Sequence, residues 1–283
     1  MKERQFIPGS QWLYLKIYTG VKTADIILEE ALQPLVEYLQ ENSYISKWFF
    51  IRYNDPKPHL RIRLSLEQTM YGNEILDRFK LTLEPFIKSG EISNLVIDTY
   101  RREIERYGEN TMEDAETLFW LNSEYTLDCL TFSDEEKIEV SLFYIDEILN
   151  KLQLTAREKL EWVQRSEQAF KQEFNADKKL NSQLDKKYRE FKPRFQEFIH
   201  SEEFAEERER ALSHIEKGKA QLQHIIYHDK NGCLGMPLPV FFQSLFHMNI
   251  NRLFVSVQRV FEMVIYDFLV RYYKTEVYKV KQN

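Results

Sequence analysis

The chain has 283 residues, 43% of them hydrophobic, which is enough for one large domain or two ordinary ones with a sizeable core. Its 39 Lys and Arg against 45 Asp and Glu give a formal net charge of −6, which argues against a dedicated nucleic-acid binder. Only eight glycines occur, and neither G-x-x-x-x-G-K nor G-x-G-x-x-G is present, so the two common phosphate cradles are missing.

The opening Met1–Phe6 lacks the apolar stretch of a signal peptide. Trp12–Tyr18 is aromatic and β-branched, and reads as a strand. Over 23–41, Ile27, Leu28, Leu32, Leu35, Val36 and Leu39 recur at helical spacing, with Asp25 near the start. Trp48–Tyr53, the turn Asn54–Pro58 and the alternating His59–Leu66 form a β-hairpin pattern. A second helix is expected near 73–88 and a fourth strand from Leu95 to Arg101. The resulting order, β-α-β-β-α-β, is ferredoxin-like. From 111 onward the periodicity is helical, with breaks at Ser133-Asp134, at Asn175–Asn181 and at the loop Asp229–Pro237. The expected class is α+β: a sheet-containing half over 1–110 and a mostly helical half over 111–283, forming one integrated domain. The most apolar stretch, 253–270, is interrupted by Ser256, Gln258, Arg259, Glu262 and Asp267, so no membrane span is expected. A cytoplasmic protein is the plain expectation.

His59-Leu60-Arg61-Ile62-Arg63-Leu64 is the most informative short stretch. Alternation sends Leu60, Ile62 and Leu64 to one sheet face and His59, Arg61 and Arg63 to the other, with the two arginine Cα atoms roughly 7 Å apart. Two guanidinium groups on one face repel unless an anion or an acidic side chain lies between them. Arginine's planar fork suits a carboxylate or phosphate. The same spacing also fits a solvated face, or arginines paired with acids of the helical half.

A second cluster runs from Asp98 to Gly108, where Arg102 and Arg106 can join that anion site or pair internally with Glu103 and Glu105. A third lies at Ser244–Leu253, where His247 shares a helix face with Ser244 and Asn251. An imidazole there can transfer protons, or serve as a hydrogen-bonded core residue. Pro237 and Pro239 suit the start of that helix. No metal site is expected: Cys129 and Cys233 fit no C-x-x-C spacing, and the pair His224 and His228 lacks the H-E-x-x-H glutamate. The lysines of 178–187 lie among acids and read as a solvated helix face.

Taken together, Trp48–Pro56 followed by His59–Leu64, then Tyr100-Arg101-Arg102-Glu103 through Gly108, then His247-Met248-x-x-Asn251-Arg252-Leu253 resemble the C-terminal elimination domain of class I lantibiotic dehydratases. The same family includes the thiopeptide-type bacteriocin biosynthesis proteins. Trp12–Tyr18, Ala115-Glu116-x-Leu118-Phe119 and Asn122-Ser123 extend the resemblance over nearly the whole chain. It implies a carbon–oxygen lyase without cofactor. A separate partner uses glutamyl-tRNA to esterify Ser and Thr of a precursor peptide, and this domain then eliminates glutamate to leave dehydroalanine or dehydrobutyrine. The family's essential residues fall here on Arg61, Arg63, Arg102 and His247. Arg52, His59, Tyr100 and Asn251 are the neighbouring substrate-binding candidates. Arginines of this set would bind the glutamyl carboxylate and stabilise oxyanion character on the peptide carbonyl.

Departures from the family pattern are Gly108-Glu109-Asn110 in place of Gly-Gly, Asn122 in place of Asp, and Asn249 in place of a second His. At this length the chain is expected to be a free-standing elimination subunit of a split dehydratase, acting on a glutamylated precursor peptide. Dimerisation through the aromatics Phe254, Phe261, Tyr266, Phe268, Tyr272 and Tyr273 is one expectation; the other is that these rings fill the core. Two further readings are a pyridine-forming [4+2] cycloaddition enzyme of thiopeptide maturation and a non-catalytic module that binds the precursor peptide, for example along a strand edge.

Overall fold

The computed structural model describes residues 3–280 and has the α+β class expected from the sequence. β2 (Trp12–Thr19) is followed by α1 (Thr23–Ile26), a π-helical turn (Ile27–Leu32) and α2 (Gln33–Glu41). Pro34 lies in the first turn of α2, and the hydrogen bond that its ring nitrogen cannot donate falls within the π turn. Then come β3 (Ile45–Asn54), β4 (Pro58–Leu66), α3 (Gly72–Lys88) and β5 (Ile92–Asp98). The sheet order is β3-β4-β2-β5, with every neighbour antiparallel.

The fourth strand ends earlier than its sequence pattern suggested. The Asp98 carboxylate accepts the Thr99 N–H at 2.6 Å, and the chain leaves the sheet. Tyr100–Arg101 form β6, which pairs with β1 (Gln5–Phe6) in a separate two-stranded ribbon. Tyr100–Arg101 fall within the strand expected over Leu95–Arg101 but pair elsewhere, and Gln5–Phe6 is too short to carry a readable periodicity.

The helices that follow are α4 (Ile104–Tyr107), α5 (Met112–Asp128), α6 (Asp134–Lys151), α7 (Ala156–Glu173), α8 (Lys178–His200), α9 (Ala205–Lys217), α10 (Lys219–Lys230), α11 (Leu238–Leu253) and α12 (Gln258–Val280). Ser133 and Thr155 each make a capping box with the glutamate three residues on, and Asp177 caps the N–H of Leu180. The three expected breaks fall between helices.

Two compact units form: the described residues of Met1–Thr131 with Gln223–Ser256, and those of Phe132–Leu222 with Val257–Asn283. The change from sheet to helix near 110 is therefore not a unit boundary, because α5 and α11 belong with the sheet. In the second unit Phe170 stacks on Tyr266, Tyr188 meets Phe268 edge-on, and the Tyr273 hydroxyl donates to Asp146 at 2.6 Å. Of the six aromatics, Tyr266, Phe268 and Tyr273, and Phe254 of the first unit, are buried, while Phe261 and Tyr272 are partly exposed.

In the first unit, α1, the π turn, α2 and α3 cover one sheet face. Ile27, Leu28, Leu32, Val36, Ile75 and Phe79 pack there against Leu15, Ile17, Phe50, Leu60, Ile62 and Leu64. The other face carries Tyr14, Lys16, Tyr18, Phe49, Ile51, Tyr53, His59, Arg61 and Arg63 by strand register.

β3 is an edge strand, so alternate residues present unpaired N–H and C=O groups. At Phe50 and Arg52, side chains of two helices complete them. The Phe50 N–H donates to Ser123 Oγ of α5 at 3.2 Å, and its carbonyl accepts Arg252 Nε at 2.7 Å. Asn251 of α11 takes both groups of Arg52: its Oδ1 accepts the N–H at 2.9 Å and its Nδ2 donates to the carbonyl at 2.9 Å. The edge thus sets the position of α11. Gly108, at φ 74°, fixes the approach to that helix: a Cβ there would stand 2.5 Å from the Leu234 carbonyl oxygen.

Asn251→Ala leaves two edge groups of Arg52 without partners and should cost about 1–3 kcal/mol for each that stays dry. A urea midpoint clearly below wild type is the expected result; an unchanged midpoint would show that the edge is satisfied otherwise.

Candidate active site

Arg63 projects from the centre of β4 onto a cage of rings. Its guanidinium lies 4.5 Å from the Tyr14 ring centroid, 5.1 Å from Tyr100 and 5.4 Å from Phe49. All three rings are buried. Among the described residues no carboxylate forms an ion pair with Arg63, and its buried Nε has no acceptor. Aromatic faces offset part of the desolvation of a guanidinium but leave its N–H groups free for an anion.

Arg61, two residues earlier on the same face, lies 3.4 Å above the Tyr53 ring. Its Nε donates to His59 Nε2 at 3.1 Å, and His59 Nδ1 lies 2.8 Å from the Lys57 carbonyl. Those contacts require a neutral imidazole with the proton on Nδ1. Burial disfavours the imidazolium and lowers the His59 pKa, although the Lys57 carbonyl acts the other way. Tyr18 stacks on the ring at 4.7 Å. Lys16, opposite Arg61, is paired with Asp98, whose carboxyl is held below the usual range by that lysine hydrogen bond.

Arg102 is placed differently. It makes a two-point ion pair with Glu116 of α5, Nε to Oε1 and Nη2 to Oε2, both at 2.7 Å. Its Nη1 donates to the Glu3 carbonyl at 3.1 Å, and its guanidinium lies over the Phe6 ring. The Tyr100 hydroxyl also donates to Glu116, at 2.8 Å. Burial and this carboxylate keep the Tyr100 phenol far above its ordinary range. Glu116 therefore ties Arg102 to a tyrosine that forms part of the Arg63 cage. Arg102 uses neither Glu103 nor Glu105; the internal pairing expected of this segment is made by Arg106, which meets Glu103 at 3.2 Å, while Glu105 pairs with Arg4.

Arg52 lies on the opposite face. Register sets it against Leu60, and its guanidinium is buried between Asp25, at 2.6 Å, and the Arg252 carbonyl, at 2.9 Å. Asn251 holds the β3 edge. His247 is half-buried one turn before Asn251 on α11, and the next residue, Met248, lines a cleft with Arg63. Asn249 is fully buried, and neither of its amide atoms finds a partner among the described residues.

That cleft, of about 380 Å³ and open to solvent, brings together Arg63, Tyr100, Arg101, Glu103, Met248 and Arg252. Arg252 is buried against Phe119 and donates to Asn122 Oδ1 at 2.8 Å. Arg101 and Arg252 were not singled out from the sequence. The signal for Arg101 was strand alternation, which turns it away from its neighbour Arg102.

The profile of the family described as "Lantibiotic biosynthesis dehydratase C-term" matches residues 12–273, and the chain belongs to that family. It is 31% identical over 162 residues to the nisin biosynthesis protein NisB of Lactococcus lactis subsp. lactis, covering 54% of this chain and 15% of that protein. With the subtilin biosynthesis protein SpaB of Bacillus subtilis the identity is 27% over 187 residues, covering 63% of this chain and 18% of that protein. The chain thus spans less than a fifth of the length of these two curated relatives. Among solved structures, the tRNA-dependent lantibiotic dehydratase MibB from Microbispora sp. 107891 superposes with a TM-score of 0.71 at 18% identity, over 97% of this chain and 29% of that one. The pyridine synthase TbtD from thiomuracin biosynthesis gives a TM-score of 0.61 at 10% identity, over 96% of this chain and 100% of that one. Both likenesses establish a shared fold.

Two predictions follow from these contacts. Because the unfolded chain takes up the His59 proton first, the contribution of this group to stability is intact above the ordinary histidine value of 6.5 and declines as pH falls from there through the lower folded value. Nitrogen-15 NMR should show His59 as the Nδ1–H tautomer with a midpoint below 6.5; a midpoint above it would contradict the buried neutral ring. Glu116→Ala leaves the Arg102 charge buried without its partner and should cost about 3–5 kcal/mol in chemical denaturation. A loss under about 1 kcal/mol would mean that solvent reaches the pair.

Proposed function

We propose that this chain eliminates glutamate from O-glutamylated Ser or Thr of a ribosomal precursor peptide, acting after a separate tRNA-dependent glutamylating partner. The observation that carries the reading is Arg63, caged by aromatic rings with no carboxylate among the described residues to neutralise it. Family membership supplies the chemistry that such a group suits. In the step, a base takes the Cα proton, its electron pair becomes the Cα=Cβ bond, and the Cβ–O bond breaks with glutamate leaving as a carboxylate. Arg61 and Arg63 receive that carboxylate and the oxyanion character on the neighbouring carbonyl. His247 is the acid–base group, on a helix anchored one turn away by Asn251. Arg102 acts through Glu116 and Tyr100, holding one wall of the Arg63 cage.

A second reading, pyridine-forming cycloaddition, draws on the fold shared with TbtD, all of whose chain is covered. That reaction expels no glutamate and gives no reason for a caged, unpaired arginine. A third reading, a peptide-binding accessory module, predicts binding without turnover.

A panel of synthetic O-glutamylated Ser and Thr peptides, incubated with the chain without ATP or tRNA and followed by mass, separates these readings. Elimination predicts loss of one glutamic acid per modified site. Arg63→Ala should slow it by about 10- to 100-fold, the value of one charged hydrogen-bonding partner. Peptide binding with unchanged mass favours the accessory module, and cyclisation of an already dehydrated thiazole peptide favours the pyridine synthase.

A further inference from the structure

Resting on the elimination reading, we infer that Arg101, with Glu103 beside it, is the specificity element that distinguishes a glutamyl ester from other aminoacyl esters. Arg101 is exposed and lines the same cleft as Arg63. Its backbone is paired with Gln5, but among the described residues its guanidinium has no hydrogen bond or ion pair, although carboxylates engage Arg102 and Arg106 on the same short segment. Extended backbone through Tyr100–Arg101 turns adjacent side chains to opposite sides. Arg102 meets Glu116 on the side of the Tyr100 hydroxyl, while Arg101, turned away from that carboxylate, lines the cleft.

The ligand class follows from the charges in that cleft. An amino acid delivered from an aminoacyl-tRNA is joined through its α-carboxyl, so a glutamyl ester retains a free side-chain carboxylate and an α-ammonium group. With Arg63 at the ester carboxyl that leaves, the side-chain carboxylate requires a second cation and the ammonium an anion. Arg101 and Glu103 supply one of each from the cleft wall. Glu103 is exposed and, among the described residues, its carboxylate pairs with Arg106 alone, at 3.2 Å, so it can turn to the ammonium without breaking a buried contact. Arg101 contributes through a fork that accepts a carboxylate in two-point fashion, which a neutral amide cannot match.

The test compares two synthetic peptides that differ only in the acyl group on one serine, glutamyl or its neutral counterpart glutaminyl, with the full chain and its Arg101→Ala and Arg101→Lys variants. Wild type should prefer the glutamyl ester. Arg101→Ala should lower kcat/KM for that ester by about 10- to 100-fold, mainly through KM, and leave the glutaminyl ester unchanged. Arg101→Lys should recover part of the preference. Equal loss on both esters, or full preference retained in Arg101→Ala, would overturn the assignment while elimination itself stands. A wild-type chain that releases neither amino acid overturns the elimination reading, and this assignment with it.

Discussion

The edge of β3 is the constraint on which the site depends. A strand at the margin of a sheet must find partners for half of its backbone groups, and at Phe50 and Arg52 three side chains from two helices supply them. Ser123, Asn251 and Arg252 replace what a fifth strand would provide. Because Asn251 engages both backbone groups of one residue, it sets α11 in rotation as well as distance. His247 and Met248 lie within one turn of that anchor, so the side of the helix that they present is set by a backbone contact.

Electrostatics runs against composition. The chain carries a formal charge of −6, yet one sheet face presents Arg61 and Arg63 in succession, with Arg101 in the adjoining cleft. Elsewhere most arginines of the first unit are paired with acids. On this face rings take the place of carboxylates: Tyr53 lies beneath Arg61, and Tyr14, Phe49 and Tyr100 surround Arg63. Rings hold a guanidinium in position without neutralising it, and a low-dielectric wall strengthens its attraction for an incoming anion. The Glu116 carboxylate governs this face indirectly, through the Tyr100 hydroxyl. Neutral His59 likewise orients Arg61 without cancelling its charge.

Much of this was legible in the sequence. Strict alternation over His59–Leu66 correctly divided β4 into an apolar face and an arginine face, because a half-buried strand has period two. The order of strands and helices, the α+β class and three helix breaks were equally readable. Arg52 was a substrate-binding candidate, although the hairpin register sets it opposite Leu60 and therefore on the core face. Arg102 was weighed against Glu103 and Glu105, its near neighbours in sequence. Its partner, Glu116, comes from α5, and local spacing says nothing about which distant helix packs on a strand. The same holds for Asn251, whose hydrogen bonds reach Arg52, 199 positions away. The β1–β6 pairing was not readable, because the two residues of β1 carry no period.

The central claim is that the face carrying Arg63 takes the substrate carboxylate while Arg102 remains structural. Side-chain Nε–H signals of specifically labelled arginines, followed while the chain is titrated with L-glutamate, the leaving product whose α-carboxylate Arg63 receives in this account, report on both at once. The account predicts a saturable shift of the Arg63 Nε–H, whose proton is buried and has no acceptor in the protein, with the Arg102 signal unmoved in its pair with Glu116. A shift confined to Arg102, with Arg63 unperturbed at saturation, would contradict it.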